Sequence, residues 1–244
     1  MSDLLELGEG VDGHMGQIRL KGDPDTLVEL RRSARARRIT LRVSSLDGRV
    51  TLTMPPHVSE GLALEFAEEK ADWIARAVKK QVVPVDVGIG AILPVEGEKR
   101  LIEAGKGRSA RLFDTAITVP RSRPGPAIEA MLKALARERL TKASTRYAER
   151  IGRSYRKITL RDTRSRWGSC SHQGNLMFSW RLILAAPAVL DYVAAHEVAH
   201  LKHMDHSARF WALVEELCPD YRESRAWLRR EGAVLHRFRF RTPD

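Results

Sequence analysis

The segment His196-Glu197-Val198-Ala199-His200, followed six residues later by His206, has the residue types and spacing to hold a metal ion beside a proton acceptor. Two histidines four apart on a helix share one face and lie about 6 Å apart along the axis, so both imidazoles can reach one ion at roughly 2.0–2.1 Å. A continuing helix would carry His206 about 15 Å from His196, so it can join them only if the helix ends near Lys202 and the chain turns back. Met204-Asp205-His206-Ser207 offers that break, with Asp205 or Ser207 suited to a turn or to capping a new helix. His203 would sit about 10 Å beyond His196 and reads as a supporting neighbour or a surface residue.

Three neutral imidazoles suit one Zn2+ ion, leave a fourth position for water, and let the ion bring that water's pKa near neutrality. Glu197 is then the expected general base, taking a proton from the water and returning it to a leaving group. The chemistry this constellation predicts is metal-dependent hydrolysis.

The rest of the chain must build a scaffold for that helix. Its 244 residues allow one large or two small domains, and 43% hydrophobic with 30% charged residues is ordinary for a globular protein. The longest apolar run, Leu182 to Leu190, is interrupted by Pro187 and is too short to cross a bilayer. An acidic start with Asp3, Glu6 and Glu9 lacks the pattern of a secretion signal, so no membrane partner and a cytoplasmic location are expected. Cys170 and Cys218 form no C-x-x-C pair and are expected to be small buried residues, with Cys170 near enough to a Trp-Gly turn to approach the site. The net charge of +11 raises an anionic partner, nucleotide or nucleic acid, as a possibility to weigh against solvated strand faces. The densest arginine clusters run from Arg31 to Arg38 and from Arg229 to Arg241, where Phe238 and Phe240 alternate with Arg237, Arg239 and Arg241.

Periodicity supplies the elements. Residues 1–20 read as a disordered tail. Ile39, Leu41 and Val43, the Asp47-Gly48 turn, then Val50, Leu52 and Met54 predict a β-hairpin, and Ser59 opens a helix with Leu62, Leu64, Phe66, Ala71, Trp73, Ile74 and Val78 on its apolar positions. Short strands are expected at Ala91–Val95, Lys99–Ala104 and Leu112–Val119, and a long amphipathic helix from Ala127 to Ile151. A second hairpin is expected, Ile158 and Leu160 on one strand and Leu176, Phe178, Trp180 and Leu182 on the other, with Ser171–Asn175 as its turn. Pro187 starts the histidine helix, and Phe210, Trp211, Val214 and Leu217 mark another helix that Pro219 ends. The strand near Asn175–Arg181 is the expected edge on which an extended peptide would lie. The expected organisation is α+β: a β-rich N-terminal subdomain over 21–121 with one helix, then a catalytic domain over 122–244.

Arg164-Ser165-Arg166-Trp167-Gly168-Ser169-Cys170, Gly174-Asn175-Leu176, Trp180-Arg181-Leu182, HEVAH and His206-Ser207-Ala208-Arg209-Phe210-Trp211 together resemble the YgjP-like metal-dependent hydrolases, relatives of the SprT-type zincin peptidases. The resemblance spans most of residues 30–235. It implies a zincin-like catalytic half with a helix pair on a small β-sheet, His196, His200 and His206 as zinc ligands, and Glu197 as catalytic base. Substrate is less constrained: such relatives are commonly called peptidases, a nucleotide pyrophosphatase activity has been attributed to the family, and the SprT side is associated with proteins on DNA. The ligand spacing equals that of metzincins, but His203 replaces their glycine and no methionine follows Met204 to form a Met-turn. Asp220 or Glu223 is the alternative third ligand.

A zinc metallopeptidase acting on a peptide or protein is therefore the leading expectation, with a nucleoside triphosphate pyrophosphatase or a nucleic-acid-associated protease as alternatives. Arg166, Asn175 and Arg181 are candidate substrate contacts. Tyr192, Tyr221, Arg166 and Arg181 are candidates to stabilise an oxyanion.

Overall fold

The computed structural model describes residues 15–20, 23–44, 48–79 and 83–241. The chain divides into two compact units, Met1–Val83 and Pro84–Asp244. The architecture is α+β, with six α-helices and several small sheets among the described residues.

In the first unit, β1 (Met15–Leu20), β2 (Asp23–Arg32), β3 (Thr40–Val43) and β4 (Val50–Met54) form one sheet in the order β1-β2-β4-β3. Alternation of Val50, Leu52 and Met54 with two threonines turns the apolar side chains inward, where they pack with Val28 and Leu30. The expected β3–β4 hairpin is antiparallel, Leu41 opposite Leu52. Of its turn, Asp47 lies outside the described residues and Gly48 has φ +67°, a conformation glycine adopts without steric cost. Of the expected tail, 1–14 lie outside the described residues, while 15–20 form β1, which pairs with β2.

The helix expected after Ser59 is two helices, α1 (Glu60–Glu69) and α2 (Ala71–Lys79), separated at Lys70. Ser59 caps α1, its Oγ accepting the Leu62 N–H at 3.3 Å. Ala63, Ala67 and Ile74 are the buried positions, Leu64 and Phe66 are partly buried against the same core, and Leu62 and Trp73 are exposed.

The second unit begins with β5 (Val85–Asp86), then β6 (Ile92–Val95), β7 (Glu98–Ala104), β8 (Arg111–Leu112) and β9 (Ala116–Val119), the last four in a sheet of order β6-β7-β9-β8. The β6–β7 turn puts Glu96 at φ +52° and Gly97 at φ +83°, the left-handed pair of a two-residue hairpin. Its Glu96 carboxylate accepts from Arg139 Nε at 2.7 Å. Arg139 belongs to α3 (Pro124–Arg150), whose Ile128, Leu132, Ala136, Leu140 and Tyr147 make one buried stripe. Leu93, Val95, Ile102, Ile117 and Val119 share a core with that stripe. Residues 84–121 thus pack with the C-terminal helices, and the division falls at Val83–Pro84 where the sequence suggested a boundary near 121.

The third sheet corrects the expected second hairpin. Its strands β10 (Lys157–Arg161), β11 (Gly168–Cys170) and β12 (Asn175–Ser179) have the order β10-β12-β11. β10 runs parallel to β12, and the hairpin is β11–β12, turning through Gly174 at φ +72°. Alternating apolar residues specify which face is buried but not the direction of the partner, and three-residue β11 is too short to show a period. Trp180–Leu184 leaves the strand as a 3-10 turn leading to Pro187, the first residue of α4 (Pro187–Ala199). Then come α5 (Ala208–Leu217), α6 (Tyr221–Glu231) and β13 (Phe238–Arg239), which pairs in parallel with β5.

α4 is almost wholly buried and rests on α3, where Asp191 accepts from Tyr147 Oη and pairs with Arg146 at 2.6 Å. No helix among the described residues is long and apolar enough to cross a membrane.

Candidate metal centre

His196 lies on the last turn of α4 and His200 caps it. The chain turns back immediately: the His203 N–H bonds the Ala199 carbonyl at 3.1 Å, and the Asp205 carboxylate accepts the Ser207 N–H at 3.3 Å, just ahead of α5. This reversal returns His206 to the other two histidines. One donor atom from each of His196, His200 and His206 lies within 4.8 Å of the others, and the Nε2 atoms of His196 and His206 are 3.2 Å apart. Two ligands of one tetrahedral ion at roughly 2.0–2.1 Å would be separated by about 3.3 Å, so the observed spacing fits. Neither Asp220 nor Glu223 belongs to this cluster among the described residues.

The protonation states also fit a cation. Burial, then the neighbouring His200, His206 and Arg225, push the His196 pKa down to about 3, keeping the ring neutral. The His196 Nδ1 is buried with no hydrogen-bond partner. Burial also lowers the His200 pKa, with the His203 carbonyl pulling the other way. That carbonyl lies 2.9 Å from His200 Nδ1, and an Nδ1–H donated to it leaves the Nε2 lone pair for an ion. His203 therefore acts on the site through its main chain. Phe210 stacks on His200 with ring centroids 4.4 Å apart, and Trp211 lies 5.8 Å from His206 and 5.6 Å from His196.

Glu197 is 5% exposed, and burial pushes its pKa up to about 8, the Arg166 charge opposing. The strand β11 passes directly over it. A Cβ on Gly168 would come within 2.5 Å of Glu197 Oε1 and 2.8 Å of Cδ, so the missing side chain makes the slot in which this carboxyl sits. Cys170, two residues along β11, is half-buried rather than buried, and burial followed by the Glu197 charge raises its pKa to about 11.

The remaining candidates divide. Arg166 is exposed, with its charge felt by Glu197. Asn175 opens β12, its Nδ2 donating to Ser171 Oγ at 3.2 Å and Gln173 Oε1 at 3.3 Å across the turn, and β12 is the central strand, so the expected peptide edge is not there. The edge strand beside Glu197 is β11. Arg181 is not free to meet a substrate: Nε and Nη2 donate to Asp162 at 2.6 and 3.1 Å, and Nη1 donates to the Leu235 and Phe238 carbonyls, both at 3.0 Å. Tyr192 and Tyr221 are buried, their rings 6.1 Å apart, with Tyr192 5.9 Å from His196.

Sequence reasoning missed Gly168, Trp211 and Arg225. A glycine inside a short strand is a recognised sign of close approach by another group, whereas Trp211 and Arg225 look like the apolar and polar faces of ordinary helices.

A family model described as YgjP-like, metallopeptidase domain, matches residues 37–231. The crystal structure of the metallopeptidase zymogen of Pyrococcus abyssi abylysin is similar over 38% of this chain and 95% of that chain, at 19% identity and a TM-score of 0.35. No curated protein matches the chain.

Proposed function

The chain belongs to the YgjP-like metallopeptidase family, and from that premise we propose that it is a zinc-dependent peptidase in which one ion is held by His196, His200 and His206 and Glu197 is the general base. The convergence of three imidazole donors within 4.8 Å, next to the buried Glu197, carries this reading. The donor set is all nitrogen, which suits zinc better than magnesium or calcium. When bound, the ion would supply a Lewis acid and lower the pKa of water at the site.

The chain's own residues do the rest. Glu197, confined by Gly168, accepts a proton from the attacking water and delivers it to the departing amine nitrogen. A carboxyl whose burial raises its pKa is a better proton acceptor than an exposed glutamate, and a nearby dication draws it back toward the ionised form the first step needs. The edge of β11 gives an extended peptide a row of main-chain hydrogen-bonding groups beside that carboxyl. Arg166 would face such a peptide from the loop before β11. The Tyr192 hydroxyl is the better oxyanion candidate, because Arg181 is consumed elsewhere.

The pyrophosphatase and nucleic-acid readings rest on the net charge of +11. Peptide hydrolysis by the zinc-loaded protein, abolished by a chelator and restored by zinc, is the expected outcome. Hydrolysis of nucleoside triphosphates with no cleavage of any peptide would reject the proposal.

A further inference from the structure

The helix α6 carries a cationic cleft. Its walls are Tyr221, Arg222, Arg225, Ala226, Arg229 and Arg230. Arg222 is neutralised by Glu215 and Arg230 pairs with Glu231 at 3.2 Å. Arg225 and Arg229 make no ion pair among the described residues, although they are i,i+4 neighbours of like charge on one helix, an unfavourable arrangement without a counter-charge.

The Arg225 guanidinium is not loose. Its Cζ sits 4.2 Å over the Trp211 ring, and that indole lies against the rings of His196 and His206. Trp211 also stacks on Tyr221 at 5.6 Å, which stacks on Tyr192. Arg229, one turn along α6 from Arg225, lines the same cleft. A half-buried guanidinium held by stacking beside a cation site, without a counter-ion, is electrostatically uncompensated in the free protein. A carboxylate entering the cleft would compensate it and meet a preset fork of donors.

We propose that Arg225, with Arg229 beside it, receives a carboxylate carried by the peptide substrate, so that the site selects peptides with an acidic group close to the bond it cuts. This rests on the peptidase reading and adds the substrate class. Arg225 is a specificity residue, touching the substrate away from the reacting atoms.

The test uses the full zinc-loaded chain. A peptide library first locates a cleaved sequence, and matched peptides then carry Glu, Ala or Lys at each position flanking the scissile bond, with free or amidated C-termini. At one position the native chain should cut the Glu peptide at least about tenfold better in kcat/KM than the Lys peptide, as expected for a charge-assisted contact. Arg225→Glu should invert that ratio, Arg225→Gln should bring it near one, and Arg225→Lys should restore part of it. A preference for the free over the amidated C-terminus alone would assign the cleft to the terminal carboxylate. The binding arm uses Glu197→Gln with a fluorescent acidic peptide, whose affinity should fall at least about tenfold when Arg225→Gln is added. Cleavage without charge preference, or a preference unchanged in Arg225→Glu, overturns this inference and leaves the peptidase reading intact. Failure to cut any peptide overturns both.

Discussion

Among the described residues, two arginines lie over tryptophan rings, and they have opposite fates. Arg181 has its Cζ 4.9 Å from the Trp180 ring and is closed off on every side by Asp162, the Leu235 and Phe238 carbonyls, and Phe240. Arg225 has its Cζ 4.2 Å from Trp211, and no carboxylate among the described residues meets its donors. The first guanidinium ties the 3-10 turn before α4 to the C-terminal segment. The second lines a cleft on α6 and stacks on the tryptophan that lies against the His196 and His206 rings. Stacking on an aromatic ring is common to both, so what separates a structural arginine from a binding one is whether its N–H groups are already spent, as four of the five are in Arg181.

The comparison can be sharpened or broken by substitution. The largest effect sets the scale and comes from neither arginine: Glu197→Gln should lower peptide turnover on the order of 10³-fold while metal analysis still finds one ion per chain. Gly168→Ala should follow, at roughly 10²-fold in kcat, because its methyl would displace the Glu197 carboxyl. Full activity in that variant would refute the slot. Among the arginines, Arg181→Met should destabilise the fold by about 2–3 kcal/mol, read by denaturant unfolding, because it leaves Asp162 and two carbonyls without their donor. Asp162 is partly exposed, which keeps the loss below that of a fully buried pair. Arg225→Met should change stability by under about 1 kcal/mol while altering which peptides are cut. Exchanged results, with Arg181 setting peptide preference and Arg225 holding the fold, would break the comparison.

The last prediction is electrostatic. In the metal-free chain the Glu197 carboxyl keeps its proton to about pH 8, against an ordinary 4.5. The folded state therefore binds more protons than the unfolded state between those values, and this group's contribution to stability falls as pH rises through that window. Glu197→Gln should gain stability relative to the native metal-free chain between pH 5 and pH 8, measured by thermal unfolding at several pH values. A constant difference across that range would contradict the burial of the carboxyl.

Much of this site could be read from residue spacing. His196 and His200 are one helical turn apart, and Asp205 and Ser207 signalled the reversal that brings back His206. The long helix α3 was equally visible, since Ile128, Leu132, Ala136 and Leu140 recur every four residues. What stayed hidden depends on contacts distant in sequence. Nothing local tells Arg181 that Asp162 and residues 235–238 will surround it. β12 looks like an edge until β10 and β11 flank it, and the edge that matters is only three residues long. The strands between 85 and 119 look alike in sequence whichever neighbour they pack against, and their shared core with α3 places them in the second compact unit.

X-ray absorption spectroscopy of the zinc-loaded chain tests the central claim most directly. The account predicts three imidazole nitrogens and one oxygen from water at roughly 2.0–2.1 Å, with one imidazole lost in His206→Ala. A site with only two imidazoles, or one unchanged when His206 is removed, would contradict it.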